Sequence, residues 1–227
     1  MLDRRQTLIR LMAAAPLTLS SQESAAQWYK IMGEDGQPVA NLRLPVELTA
    51  QIDELPGIIR VGSTRPDLSL AEFTDFNCPH CKRASRDVHA LVTQDRNLRV
   101  TLVNNPILSP MSAQAAKVAL AVFALKGAAT AYELRMKLFA QRGTVDGLKA
   151  LELAEGLGAK RSEVEQMADG PKVGQALTAQ MKLAAALGFV ATPSFMIAGV
   201  GLLGHPGRKP LRKILDSVRA CDQVVCG

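Results

Sequence analysis

The sequence predicts an α/β fold in which a β–α–β unit is followed by a block of helices, a β-hairpin and a closing helix. Three observations carry this. Two β-rich runs, residues 68–76 and 98–103, flank a helical stretch, the order of a parallel β–α–β unit. From 112 to 187, Ala, Leu, Lys and Glu dominate and β-branched residues thin out, which favours helices. After Thr192-Pro193 the pattern returns to short strands and ends in an amphipathic helix.

Taken in order, residues 1–26 read as a cleavable signal peptide. Arg4, Arg5 and Arg10 precede an apolar stretch, 11–19, that is too short to span a bilayer, and Ser24-Ala25-Ala26 supplies small residues for cleavage. Arg4-Arg5 also resembles a twin-arginine signal, so both the Sec and the twin-arginine routes stay open. Residues 27–56 form an N-terminal arm, with turns at 32–38 from Gly33, Gly36 and Pro38. A short helix is expected near 46–55, where Leu48, Ile52 and Leu55 recur at helical spacing. Pro56-Gly57 interrupts the chain.

The main domain is expected over 57–221. Residues 58–61 are its first strand, 63–66 a turn and 68–76 its second strand. Asn77 is the expected cap of a helix running from Cys78 to about Val92. Helices follow at 112–125, 130–140, 144–157, 161–167 and 173–187, punctuated by Gly143, Gly158 and Gly170-Pro171. Strands at 194–197 and 200–203, a turn at Gly204-His205-Pro206-Gly207 and a helix at 211–220 complete it. Residues 222–227 are a tail. The helical insertion spans about 112–187.

Apolar residues are 48% of the 227, enough for a sizeable core, and charged residues are 21%. The net charge of +6 is scattered, and aromatics are only 4%. Nucleic-acid binding, which concentrates basic groups and interleaves stacking rings, is therefore not expected. No segment after the leader has eighteen uninterrupted apolar residues. Oligomeric state is not legible.

Four cysteines, Cys78, Cys81, Cys221 and Cys226, fit an oxidising compartment. Their spacing favours two local pairs, Cys78 with Cys81 and Cys221 with Cys226. A short loop restricts the unfolded chain little, so the first pair points to chemistry more than to stapling. Cys78 sits where an apolar strand meets a helix, whose free N–H groups and partial positive charge favour a thiolate. Pro79 suits the first helical turn, and His80 offers a donor beside the sulfur. Cys81 lies one turn on, on the same face. An inert disulfide and a zinc site built from C-x2-C with a distant C-x4-C remain the alternatives. Cys221 and Cys226, at the end of the last helix, are expected to form a structural disulfide.

The segment Glu72-Phe73-Thr74-Asp75-Phe76-Asn77-Cys78-Pro79-His80-Cys81-Lys82 resembles the active-site strand and helix of the DsbA-like periplasmic thiol–disulfide oxidoreductases, a thioredoxin-like family. Gly188-Phe189-Val190-Ala191-Thr192-Pro193-Ser194-Phe195 resembles the segment that carries that family's cis-proline. The resemblance runs from about Gly57 to Cys221. It implies a thioredoxin-like fold with a helical insertion between the β–α–β unit and the C-terminal hairpin and helix. It implies that Cys78 and Cys81 are the redox pair. It also makes Glu72 a buried acid that relays protons to Cys81, and Thr192-Pro193 a backbone edge that receives extended substrate.

The expected function is a periplasmic enzyme, without cofactor or metal, that exchanges disulfides with unfolded or misoxidised exported proteins. The resemblance further implies a membrane redox partner. Its most direct form is an oxidant: CPHC resembles the oxidase branch, whereas Thr192 before the proline resembles the isomerase branch. The alternatives are an isomerase or reductase, and a periplasmic module that binds metal through the same thiols.

Overall fold

The computed structural model describes residues 28–227; the leader expected at 1–26 lies outside them. A six-stranded mixed sheet organises the chain, in the order β1-β6-β5-β3-β4-β2. Strand β3 (Leu68–Thr74) pairs parallel with β4 (Leu98–Asn104), and helix α2 (Pro79–Gln94) joins them. On the other side of β3 the hairpin of β5 (Ser194–Ile197) and β6 (Val200–Leu203) runs antiparallel. Strand β2 (Ile59–Gly62) closes one edge against β4.

The opposite edge differs from the sequence reading. Residues 40–43, in the N-terminal arm where only turns and a short helix are expected, form β1 (Ala40–Arg43) and pair with β6. The stretch ANLR is too short and too polar to announce a strand, and its partner supplies the order. The helix expected at 46–55 is a single turn, α1 (Val46–Thr49), that tightens into a 3-10 turn over Ala50–Glu54.

Strand β3 is central, and its alternation decides what meets the redox helix. Leu70, Glu72 and Thr74 face one side, while Ala71 and Phe73 face the other. Phe73 packs edge-on against Phe189, with ring centroids 4.9 Å apart, in a smaller core with Leu183, Leu187 and Val103. The larger core lies on the Leu70 face. There α2 buries the stripe Cys81, Ala84, Ser85, Val88 and Leu91, and α7 (Arg208–Cys221) buries Leu211, Ile214, Leu215 and Val218.

The insertion comprises α3 (Pro110–Ala140), α4 (Gly147–Glu155), α5 (Arg161–Ala168) and α6 (Pro171–Ala186). The two helices expected at 112–125 and 130–140 are the halves of α3. The break falls at Gly127, whose φ of 83° and ψ of 178° leave the helical region. An L-residue resists that φ, so glycine fixes the place of the kink. By length and composition α3 could cross a membrane. Its buried residues, Ala115 to Val122 in the first half and Leu134 to Phe139 in the second, instead pack into the larger core.

Candidate active site

Helix α2 begins at Cys78, not at the expected cap Asn77. Cys78 is the N-cap, with extended backbone, and its Sγ accepts from the Cys81 N–H at 3.4 Å. Asparagine is the better cap by type, but Asn77 is engaged elsewhere. Its Nδ2 donates to Ser112 Oγ (3.0 Å) and the Val145 carbonyl (2.9 Å), and its Oδ1 accepts from the Val145 N–H (2.7 Å). Asn77 thus stitches the helical insertion to the start of α2. Asp75 secures the same turn: Oδ1 accepts from the Asn77 N–H and Oδ2 from the Leu108 N–H.

The two thiols are unbonded, buried, and face opposite demands. The Cys81 thiol, donating to Cys78, is the largest influence that brings the Cys78 pKa down to about 6. Burial opposes this; Thr192 and the backbone N–H groups of Cys81 and His80 add to it. His80 was expected to help through its side chain, but its imidazole is exposed and its backbone N–H is the contributor. Burial is likewise the main cause that pushes the Cys81 thiol far up, and the neighbouring Cys78 adds to it. The arrangement ionises the first sulfur and keeps the second protonated.

The Thr192–Pro193 bond is cis. Its carbonyl side closes over Cys78: the Thr192 carbonyl accepts from the Cys78 thiol at 3.1 Å. The Thr192 hydroxyl is buried with no hydrogen-bond partner among the described residues. Ala191 and Val190, the preceding residues, are exposed. Pro193 is held from behind, its carbonyl accepting from the Gly204 N–H at 2.9 Å.

Glu72 is fully buried on the α2 face of β3, close enough to Cys81 to disfavour a second negative charge there. Burial raises its pKa, and Arg135 opposes the rise. Arg135, which sequence reasoning did not single out, comes from the second half of α3. Its Nη2 donates to Glu72 Oε2 at 3.1 Å and to Thr74 Oγ1 at 2.7 Å. The guanidinium also lies 4.9 Å from the Phe139 ring centroid and 5.9 Å from that of Phe76.

The second cysteine pair lies elsewhere. Cys221 and Cys226 are bonded to each other, with Cα atoms 6.0 Å apart. Helix α7 runs beside α2, with Arg208 near Asp87 and Arg219 bonded to Asp95 just past the end of α2. The disulfide therefore sits beyond the far end of α2, whose 16 residues span about 24 Å. Those sulfurs cannot join Cys78 and Cys81 in one metal site, and among the described residues no cluster of three His, Cys, Asp or Glu side chains is placed to hold a metal. His205 pairs with Asp87 at 2.8 Å along α2 and is not part of the site.

This geometry agrees with the comparisons. Residues 69–218 match the DSBA-like thioredoxin domain family, well over half of the chain. The chain belongs to that family. It is a thiol–disulfide oxidoreductase with a thioredoxin-like α/β fold. Among solved structures it is similar to a thioredoxin-like oxidoreductase from Silicibacter pomeroyi DSS-3, at 28% identity and a TM-score of 0.69, covering 75% of this chain and 97% of that one. Two others share the fold at lower identity. The thiol-disulfide exchange protein alpha-DsbA2 from Wolbachia pipientis has 23% identity and a TM-score of 0.68, covering 76% of this chain and 92% of that one. The catalytic domain of Proteus mirabilis ScsC has 22% identity and a TM-score of 0.68, covering 76% and 97%. No curated protein matches the sequence closely enough to report.

Proposed function

We propose that this DsbA-like chain is an exported, periplasmic oxidant that transfers its Cys78–Cys81 disulfide to unfolded or misoxidised exported proteins. The single observation that carries the reading is the opposed poise of the two thiols, Cys78 near 6 and Cys81 far above the ordinary range. A stabilised Cys78 thiolate is a good leaving group, and its disulfide is correspondingly oxidising.

In the forward step a substrate thiolate attacks Cys78, the Cys78–Cys81 bond breaks, and Cys81 leaves with a proton supplied through Glu72. A second substrate thiol then attacks the mixed disulfide. The substrate leaves with a new disulfide and Cys78 is left as a thiolate. A membrane partner reoxidises the pair. The extended substrate lies along Val190 to Thr192, beginning at the Thr192 carbonyl that bonds Cys78 and running to the exposed Val190. Exposed Ile107, Leu108, Met111 and Leu148, on segments tied to the site through Asp75 and Asn77, suit an apolar, unfolded client. In this reading residues 1–26 are the cleaved leader, 27–56 an arm that lends a strand to the domain at 57–221, and 222–227 the tail.

The second reading, an isomerase or reductase, is favoured by the threonine before the cis-proline. The reduction potential separates them. Equilibration of the pair with glutathione is expected to give a value above about −180 mV; a value below about −230 mV would contradict the oxidant reading.

A further inference from the structure

Packing does not account for the Glu72–Arg135 pair. Both residues are almost fully buried, at 0% and 2% exposure. Removing two charges from water is costly, and a buried ion pair is often no more stabilising than well-packed apolar residues. The pairing is also incomplete. Arg135 holds only one carboxylate oxygen, Oε2, while Oε1 and Arg135 Nε are buried with no hydrogen-bond partner among the described residues. A pair retained for stability alone would be expected to satisfy both oxygens. Glu72 instead keeps one buried oxygen without a hydrogen-bond partner among the described residues, on a side chain whose charge is felt by Cys81.

We infer that Arg135 is a positioning residue for thiol exchange: it grips Oε2 of Glu72, shares its hold with Thr74, and so leaves Oε1 as the oxygen that trades a proton with Cys81. The helical insertion thus takes part in the chemistry as well as covering it, because Arg135 is its residue. The inference rests on the proposed relay role of Glu72 and adds the group that tunes it.

The groups that face Glu72 are few. From α2 there is Cys81, with Cys78 beyond it; from α3 there are Arg135 and Tyr132. Tyr132 is itself bonded to His89 of α2 at 2.8 Å. On its own strand Thr74 bonds Arg135, and the neighbouring strands set Leu102 and Phe195 opposite it, neither of which titrates. Arg135 is the only cation among these neighbours, apart from His89 when protonated.

The step balances without an outside oxidant. With a thiol compound joined to Cys78, the Cys81 thiol gives its proton to Glu72 and attacks Cys78 Sγ. The Cys78–Cys81 bond forms, the bond to the compound breaks, and the departing thiolate recovers a proton from Glu72. The reverse opens the enzyme disulfide. Without Arg135 the influence that opposes burial is lost, so Glu72 holds its proton to higher pH and accepts one from Cys81 less readily.

The test uses the whole mature chain with glutathione disulfide as the probe. The reduced protein forms a Cys78–glutathione mixed disulfide, and release of glutathione by Cys81 is timed by rapid quench from pH 5 to 9. Arg135→Met is expected to move the acid-side midpoint up by about one pH unit, with about tenfold slower release below it. Arg135→Lys is expected to restore the wild-type midpoint, and Glu72→Gln to abolish that limb. A wild-type midpoint in Arg135→Met, whatever its melting temperature, overturns the inference while leaving the relay intact. A wild-type limb in Glu72→Gln overturns the relay and the inference together. Should Arg135→Met not fold, Thr74→Val removes the second anchor of the guanidinium. It is expected to shift the midpoint the same way by less, and an unshifted midpoint there also overturns the inference.

Discussion

The two cysteine pairs of this chain are built from the same atoms at similar spacing, three and five residues, yet they stand at opposite ends of helices. Cys78 caps the start of α2, where N–H groups point outward and favour negative charge. Cys221 is the last residue of α7, where carbonyls gather, and its sulfur sits 3.2 Å from the Ser217 carbonyl. A thiolate is stabilised in the first place and opposed in the second. Helix polarity, more than the number of residues between two cysteines, separates a pair that exchanges from one that staples.

Replacing the cysteines gives the largest contrast. Cys78→Ser is expected to bring thiol–disulfide exchange down to the uncatalysed rate, and Cys81→Ser to hold substrates as mixed disulfides on Cys78. Cys221→Ser with Cys226→Ser is expected to keep the wild-type exchange rate and to lower unfolding stability by about 2 kcal/mol, the loop-closure contribution of a short bridge. Stopped-flow exchange and denaturant melts read both effects. A slowed exchange in the Cys221→Ser, Cys226→Ser protein would place the second pair in the electron path.

A smaller effect separates the pairs by pH. The Cys78 thiol ionises near 6 in the folded, reduced protein and near about 8.5 in an unfolded chain. Its contribution to the stability of the reduced form is therefore fully present above about pH 8.5 and lost as pH falls through 6. The oxidised form has no such group. Melts of the two forms at pH 5, 7 and 9 are expected to show the reduced form gaining on the oxidised form as pH rises. A constant difference would show that Cys78 is not an ionised thiol.

Much of this was legible in the sequence, for local reasons. Cysteine followed by proline after an apolar strand marks a helix start, and an acid inside such a strand is conspicuous, so Cys78, Cys81 and Glu72 stand out. The order of strands and helices was legible because the periodicity changes sharply near residues 112 and 187. Arg135 was not, because nothing local separates it from Arg142 or Lys137; only the fold turns it inward against Glu72. Nor was β1, whose order comes from β6, some 160 residues away. The capping of α2 was misread because Asn77 is drawn off by Ser112 and Val145, contacts from distant segments.

Thiol exchange by this chain turns on the ionisation of Cys78. Iodoacetamide labelling of the reduced native protein from pH 4 to 9, with the modified cysteine located by peptide mapping, measures it. The expected result is labelling of Cys78 with a midpoint near pH 6, with Cys81 unmodified across the range. Labelling of Cys81 in preference, or a Cys78 midpoint near about 8.5 as for a free thiol, would contradict the account.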